Sequence, residues 1–379
     1  MKNKKIASLF ASLKVGGGVE KVQANLSIGL TDLGYDFYHI LSEDIGTKND
    51  YKGKIISLNS PFILGFGFKK ILSLFVNAFK ITQICKKEKI EVLIGQGDYF
   101  FMLSGLVKLL GFSGKTIAVV HTTIGIWPKQ INLLLRFFLK LHDKIILISK
   151  EEYHTFLNEY KFDKSKLEII YNSIDILKID RLKDEKVEDI NFNKFTFINI
   201  GRLTYQKGQD NLIKAFDKFN QKYNNSQLII LGDGELKEKY NNLILSLKSG
   251  NNIHLLGNKK NVYSYLSKSD CFVLSSNFEG FPIVLIETIS LGIPIISTDC
   301  KTGPKELLNL DNDFFNIEKI KKTKYGYLVG LGTNTVENLF SAMEEYYLKQ
   351  NISYNFLEIR NFFSIDENVN KWNNVLKNI

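Results

Sequence analysis

Short apolar runs alternate along this chain with stretches whose apolar positions lie three and four apart, and glycine and small polar residues fill the joints. The first run, Ile6–Leu13, leads through Gly16, Gly17 and Gly18 into the helical pattern Val22–Leu33. A strand, a glycine turn and a helix in that order open an α/β unit. Phe37–Leu41, Ile55–Leu58, Val92–Ile94, Thr116–Val120 and Lys144–Ile148 read as further strands, and Ser149 is placed to cap a helix starting at Lys150. Leu177–Asn193 is charged and poorly periodic. The alternation then restarts, with strands at Phe195–Ile200, Gln227–Leu231, Ile253–Leu256 and Cys271–Ser275 and helices at Asn211–Tyr223, Leu236–Leu247 and Val262–Lys268. Such alternation predicts parallel sheets joined by right-handed crossovers. The expectation is an α/β protein of two doubly wound, Rossmann-like domains. They would span residues 1–175 and 194–358, with a linker at 176–193 and an amphipathic terminal segment at 359–379 that contains Trp372.

Two apolar segments stand out from this plan. Pro61–Ile84 carries Phe62, Phe66, Phe68, Leu72, Phe75 and Phe79, broken by Lys69, Lys70 and Lys80, and Leu133–His142 has the same character. Each reads either as a lipid-interface helix or as a core helix whose lysines reach outward. No uninterrupted apolar run is long enough to span a membrane. The start, with its short apolar part ending in Lys14, reads as a first buried strand rather than a signal peptide.

A length of 379 residues suits two domains, and 44% hydrophobic with 24% charged residues is ordinary for a globular protein. The net charge of +10 is uneven: residues 1–180 hold 25 of the 50 Lys/Arg but 17 of the 40 Asp/Glu, +8 against +2 for the remainder. A basic front half suits an anionic membrane surface or an anionic acceptor. Compositional bias toward lysine is the alternative. No basic stripe interleaved with aromatics appears, so no nucleic-acid partner is expected. Cys85, Cys271 and Cys300 are far apart and odd in number, which argues for a reducing compartment and against both a disulfide frame and a zinc site. The five histidines are scattered, with none paired four apart. The run GFSGKT near Gly111 is not a P-loop, because Leu109 stands where the first glycine belongs.

Candidate chemistry concentrates between Ser275 and Pro304. Glu279 is followed directly by Gly280, Phe281 and Pro282, and Glu287 comes eight positions after Glu279. A carboxylate, a flexible residue and a helix-starting proline abut where a core strand would want apolar side chains. Ile283, Val284, Leu285 and Ile286 read equally well as helix or buried strand. A loop-capping Glu279 and a solvated Glu287 are the plain alternative. Upstream, Gly201-Arg202-Leu203-Thr204-Tyr205-Gln206-Lys207-Gly208 places two cations in the loop after a strand. Two further turns, Gly232-Asp233-Gly234 and Gly257-Asn258-Lys259, end strands of their own. His121 closes a strand and is followed by Thr122, Thr123 and Gly125. Strand ends in an open parallel sheet are where ligands bind.

These residues resemble the two-glutamate signature of the retaining nucleotide-sugar glycosyltransferases of family 4, which have the GT-B fold. The resemblance spans nearly the whole chain and is most specific from about 199 to 306. It implies two Rossmann-like domains facing an interdomain cleft, the first binding the acceptor and the second the donor. Tyr171-Asn172-Ser173-Ile174-Asp175 resembles the family's domain-crossing element, and the terminal segment would return to brace the first domain. The resemblance implies that Arg202 and Lys207 grip the donor diphosphate, that Glu279 meets donor-sugar hydroxyls and that Glu287 meets the ribose. Gly201, Gly257, Asn258, Gly280, Phe281 and Pro282 would line the donor. Gly16, Gly17 and Gly18 would lie under its phosphates, and His121 would face its sugar. A unit-charge pair at 4 Å is worth about 4 kcal/mol gross at an effective dielectric near 20, whereas a helix N-terminus adds about 0.3–1 kcal/mol.

The implied activity is transfer of a hexose or N-acetylhexosamine from a UDP-sugar to a lipid-linked, lipopolysaccharide or capsular glycan, on the inner, cytoplasmic face of a membrane. No cofactor or metal is expected, although Asp311-Asn312-Asp313 has the spacing of a metal-binding motif from another transferase fold. Alternatives are a UDP-sugar epimerase or hydrolase on the same architecture, or a non-catalytic sugar-nucleotide-binding protein.

Overall fold

A computed structural model of the chain describes residues 4–14, 17–46, 49–60, 68–121, 128–308, 317–350 and 355–379. Gly16, Thr122, Thr123, Gly125 and Asp311-Asn312-Asp313 lie outside the described residues, as do Phe62, Phe66 and the side chains of Phe68, Lys69 and Lys70. The chain divides into two compact units, Met1–Ser173 with Phe363–Ile379, and Ile174–Phe362.

The first unit is built on seven parallel strands: β1 (Lys5–Phe10), β2 (Asp36–Leu41), β3 (Lys54–Ser57), β4 (Val92–Gln96), β5 (Lys115–Val120), β6 (Lys144–Leu147) and β7 (Leu167–Ile169). Their spatial order is β3-β2-β1-β4-β5-β6-β7. Helices cover both faces, so the strands read as near-continuous apolar runs and are buried along almost their whole length. Helix Ile365–Lys377, capped by Ser364 through the Glu367 N–H, packs on helix Gly18–Asp32 within this unit. Its Val369 lies against Gly29, where a Cβ would come within 2.2 Å of Cγ2. Tyr35 donates to Asn373 at 2.8 Å and Asn368 to the Tyr171 carbonyl at 2.6 Å, while Trp372 is buried.

The second unit repeats the plan with β8 (Phe195–Ile200), β9 (Ser226–Leu231), β10 (Ile253–Gly257), β11 (Cys271–Leu274), β12 (Ile295–Thr298), β13 (Ile320–Lys322) and β14 (Gly326–Val329). The order is β10-β9-β8-β11-β12-β14-β13, with only β13 antiparallel among these described strands. Phe197, Phe216 and Phe219 form an aromatic centre between the sheet and helix Gln209–Lys222.

Both sheets reverse direction of winding at one place: between β1 and β4 in the first, between β8 and β11 in the second. The loops leaving the carboxyl ends of those strands diverge there and open a crevice, the usual ligand site of a doubly wound sheet.

Three local expectations are settled. Residues 283–286 begin a helix, Ile283–Ser290, rather than a strand. The segment read as a linker is not without structure: helix Ile176–Leu182 occupies its start, capped by Asp175, with Ile179 buried. Seven residues are too few turns to show a period. In helix Phe68–Glu88, Leu72, Phe75 and Phe79 are 56, 51 and 59% exposed, so they do not face the core; Ala78, Ile81 and Cys85 do. No helix among the described residues is long and apolar enough to cross a membrane.

Candidate functional site

The second unit's switch point is made by residues 201–208, after β8, and 275–282, after β11. The two loops are laced together. Ser275 donates to the Lys207 carbonyl at 2.9 Å, Asn277 Nδ2 to the Tyr205 carbonyl at 2.6 Å, the Asn277 N–H to the Gln206 carbonyl at 2.8 Å and Gln206 Nε2 to the Phe278 carbonyl at 3.1 Å. Gly208 makes this approach possible. Its φ is +57°, and a Cβ there would stand 2.4 Å from the Ser275 carbonyl oxygen.

This lacing carries Lys207 to Glu279. The Lys207 ammonium donates to Glu279 Oε1 at 2.6 Å, and Ser276 Oγ donates to the same oxygen at 2.6 Å. The lysine stem lies over Gly201, where a Cβ would be 3.3 Å from its Cδ. Both side chains are largely covered, 18 and 6% exposed. A buried carboxylate needs such partners, because desolvation of an unpaired charge costs several kcal/mol (about 3–5). The Glu279 carbonyl accepts from the Thr302 hydroxyl, which ties the loop to the segment before helix Pro304–Leu308. Arg202, five residues before Lys207, is exposed, and its carbonyl accepts from the buried Gln209 at 3.0 Å.

Pro282 is the N-cap of helix Ile283–Ser290 and offers no capping side chain, so no side chain of the cap occupies the first-turn N–H groups. Phe281 and Pro282 are buried, and Gly280 is half-buried. One turn on, Glu287 is buried and accepts from the Tyr263 hydroxyl at 2.8 Å. Burial first, and then the Glu287 charge, push the Tyr263 phenol far up, which keeps it a donor. Gly257 has φ +70° with open space around it, and Asn258 beside it is exposed.

Arg202, Lys207, Gly201, Glu279, Gly280, Phe281, Pro282 and Glu287 therefore fall on two adjacent strand ends and the helix that follows the second of them, with Gly257 and Asn258 on the end of β10, two places from β8. Ser276 and Tyr263, the fixed partners of the two glutamates, escape sequence reasoning. Ser276 had a weak signal, three residues before a glutamate; Tyr263 had none. Among the described residues no group of His, Cys, Asp and Glu could hold a metal ion.

In the first unit the corresponding loops follow β1 and β4. Gly17 is the N-cap of helix Gly18–Asp32, and Gly18 is its first residue. His121 follows β5 directly. Its Nε2 lies 2.8 Å from Gln96 Oε1, at the end of β4. Burial lowers its pKa to about 4, so the ring is neutral.

Family models match both halves: "Glycosyltransferase Family 4" over residues 16–177 and "Glycosyl transferases group 1" over 180–320. A glycosyltransferase of Methanocaldococcus jannaschii, itself uncharacterised, is 37% identical over 289 residues, 68% of this chain and 71% of its own. The chain belongs to the family 4 glycosyltransferases. The glycosyltransferase is also 28% identical, over 79% of its length and 81% of the other's, to an N-acetylgalactosamine-N,N'-diacetylbacillosaminyl-diphospho-undecaprenol 4-alpha-N-acetylgalactosaminyltransferase of Campylobacter jejuni. Among solved structures it resembles the lipopolysaccharide outer core galactosyltransferase WaaB (TM-score 0.70, 19% identity, 99% of this chain and 100% of that one). It resembles Anabaena HepE in complex with UDP and glucose to a similar degree (TM-score 0.73, 16% identity, both chains covered fully). The glycosyltransferase thus has the GT-B fold, two Rossmann-like domains of which β1–β7 and β8–β14 are the sheets.

Proposed function

We propose that this enzyme is a retaining transferase that moves a hexose or N-acetylhexosamine from a UDP-sugar to a lipid-linked, lipopolysaccharide or capsular glycan, with the second unit holding the donor and the first the acceptor. The observation that carries this reading is the cluster of Arg202, Lys207, Glu279 and Glu287 on two loops and the helix that follows the second of them at one switch point. The names of relatives favour the acceptor class: the Campylobacter jejuni relative acts on a diphospho-undecaprenol-linked sugar, and an Escherichia coli relative, 29% identical over 66% of both chains, is a UDP-Gal:alpha-D-GlcNAc-diphosphoundecaprenol galactosyltransferase. The UDP bound by HepE favours the nucleotide.

In this reading the bond from the anomeric carbon to the diphosphate oxygen breaks, and the acceptor hydroxyl oxygen bonds to that carbon on the same face. The departing phosphate takes the hydroxyl proton. Charge develops on the leaving UDP, so Arg202 and the two Lys207 N–H groups not bound to Glu279 stabilise the transition state more than the ground state. Glu279 is already held by Lys207 and Ser276, which suits a carboxylate that orients sugar hydroxyls rather than one that attacks carbon. Its second oxygen is the one offered to the sugar. Glu287, fixed by Tyr263, takes the ribose hydroxyls. No metal or cofactor enters the scheme.

UDP release, measured with each of a panel of UDP-sugars with and without a lipid extract, tests the reading. Release that needs the extract supports transfer. Release without it points to hydrolysis, and binding without turnover to a non-catalytic protein.

The same reading places the enzyme on an anionic membrane surface at the inner, cytoplasmic face. Helices Phe68–Glu88 and Lys129–Lys140 both pack on helix Asp98–Leu109, and both turn large apolar side chains outward: Leu72, Phe75 and Phe79 on one, Leu133 and Phe137 on the other, with Lys80, Lys129 and Lys140 exposed beside them. Apolar side chains flanked by lysine suit an interfacial helix. Sedimentation with phosphatidylglycerol vesicles, but not with phosphatidylcholine vesicles, is expected, and Phe75→Ser with Phe79→Ser should abolish it. Equal binding to both, or to neither, removes the membrane from the proposal.

A further inference from the structure

A buried polar chain runs beneath the strand ends of the first unit. His121 Nε2 lies 2.8 Å from Gln96 Oε1, Gln96 Nε2 lies 3.4 Å from Ser8 Oγ, and Ser8 Oγ lies 3.1 Å from Gln23 Oε1. Gln96, Ser8 and Gln23 are at most 3% exposed. The four residues come from four different elements. His121 follows β5, Gln96 ends β4, Ser8 is in β1, and Gln23 is on the helix that starts at the glycine turn. The chain therefore crosses the switch point of the sheet, between β1 and β4.

Nothing in a purely structural account calls for two buried polar side chains on adjacent strands, and a third on the helix packed over them, where Leu9, Leu93 and Ala118 belong to the apolar core. Burying polar groups is worthwhile only when each is paired and something is gained by fixing their orientation. The end of the chain shows what is fixed. His121 Nδ1 is buried and has no partner among the described residues. A neutral imidazole carries one proton. If that proton were on Nδ1, a buried N–H would be orphaned, the costlier of the two arrangements. With the proton on Nε2, every link runs in one donor direction: His121 to Gln96, Gln96 to Ser8, Ser8 to Gln23. The Nδ1 lone pair is then left over as an acceptor.

We propose that Gln96 is a positioning residue, anchored through Ser8 and Gln23, that holds His121 as the Nε2–H tautomer so that its bare Nδ1 accepts a hydrogen bond from a hydroxyl of the substrate sugar. This rests on the reading above that the strand ends of the first unit take part in substrate binding. Gly97 follows Gln96 with φ +81°, and a Cβ there would stand 4.0 Å from His121 Cδ2, so the backbone after β4 passes close to the ring on its Cδ2 side.

The test uses the full chain labelled with ¹⁵N-histidine, with His121 assigned by the signal lost in His121→Ala. Long-range ¹H–¹⁵N correlation at pH 7 is expected to show a protonated Nε2 and a bare Nδ1; a protonated Nδ1 in the wild-type enzyme overturns the proposal. Gln96→Leu removes the acceptor and should mix the tautomers and raise the KM for the sugar substrate about tenfold, the worth of one hydrogen bond, with a smaller change in kcat. Gln96→Glu keeps an acceptor but cannot donate to Ser8, and its charge draws a second proton onto the ring, so Nδ1 should then be protonated and KM should stay raised about tenfold. Unchanged tautomer and KM in Gln96→Leu also overturn the proposal. If the tautomer is as expected but His121→Ala turns over like wild type, it is the functional reading of the first unit's strand ends that fails, not the relay.

Discussion

Arg202 and Lys207 carry the same charge in different settings, and the difference separates stability from catalysis. Lys207 is mostly buried and is the cation for a buried carboxylate. Lys207→Ala strands Glu279 with only the Ser276 hydroxyl, which should cost about 3 kcal/mol. In a unit the size of Ile174–Phe362 that lowers Tm by roughly 6–12 °C. Arg202 is exposed, so Arg202→Ala should change stability by less than about 0.5 kcal/mol. Both should lose on the order of 100-fold or more in kcat, because each removes a charge facing the leaving group. Calorimetry beside UDP-release kinetics reads both quantities, and an Arg202→Ala enzyme of normal activity would remove that residue from the mechanism. Tyr263→Phe is a third case. It keeps the ring and removes one donor to Glu287, so the donor KM should rise about tenfold while kcat holds. A fall in kcat with KM unchanged would mean that Glu287 acts on the reacting bond rather than on the donor's binding.

At the scale of elements, the site depends on two loops lying backbone to backbone. Gly208→Ala combines a left-handed φ with a clash at 2.4 Å from the Ser275 carbonyl. Gly257→Ala has a comparable φ, +70°, but open space. The second should cost only the left-handed strain, about 1–2 kcal/mol. The first should cost more and lower kcat as well, since it pries Lys207 from Glu279. Equal Tm values for the two variants would show that the lacing is loose. The same contrast explains what was legible in the sequence. Strands buried on both faces, such as Thr116–Val120, read within a residue or two of their observed ends, because a near-continuous apolar run marks them. The glycine-flanked loop with its two cations was legible too. Helix Ile283–Ser290 was not, because it is apolar on nearly every side and so has no period. The outward turn of Leu72, Phe75 and Phe79 was hidden for the opposite reason: both a core and an interfacial helix show that pattern. Tyr263 and Gln96 were illegible because their partners come from other elements, and no local pattern encodes a contact between β1 and β4; Ser276 lies three residues before its partner Glu279, a spacing too common to single it out.

At the scale of the molecule, the histidines are unevenly distributed. His39, His121 and His142 all lie in the first unit, and burial lowers each to about 4. His142 sits between the Ser104 hydroxyl at 2.8 Å and the Phe138 carbonyl at 3.0 Å, and His39 holds the Lys52 carbonyl at 2.8 Å. Unfolded, each would titrate at its ordinary value near 6.5. Between pH 6.5 and 4 the unfolded chain therefore binds more protons than the folded one, and stability falls as the pH falls. The fully buried His39 and His142 contribute roughly 3 kcal/mol each by the lower end of that window, at about 1.4 kcal/mol per pH unit. In the second unit, His254 is lowered less and is half-buried, so its effect is smaller. Carboxylates held low by cations, such as Asp143 beside Lys108 and Lys115, add their loss only below about pH 4. Calorimetry from pH 7 to pH 4.5 should thus show the transition of the first unit moving to lower temperature well before that of the second. His142→Gln, which cannot charge, should flatten part of the shift. Two transitions that move together across this range would mean that the buried histidines take up protons in the folded protein as readily as in the unfolded chain, or that the two units unfold as one.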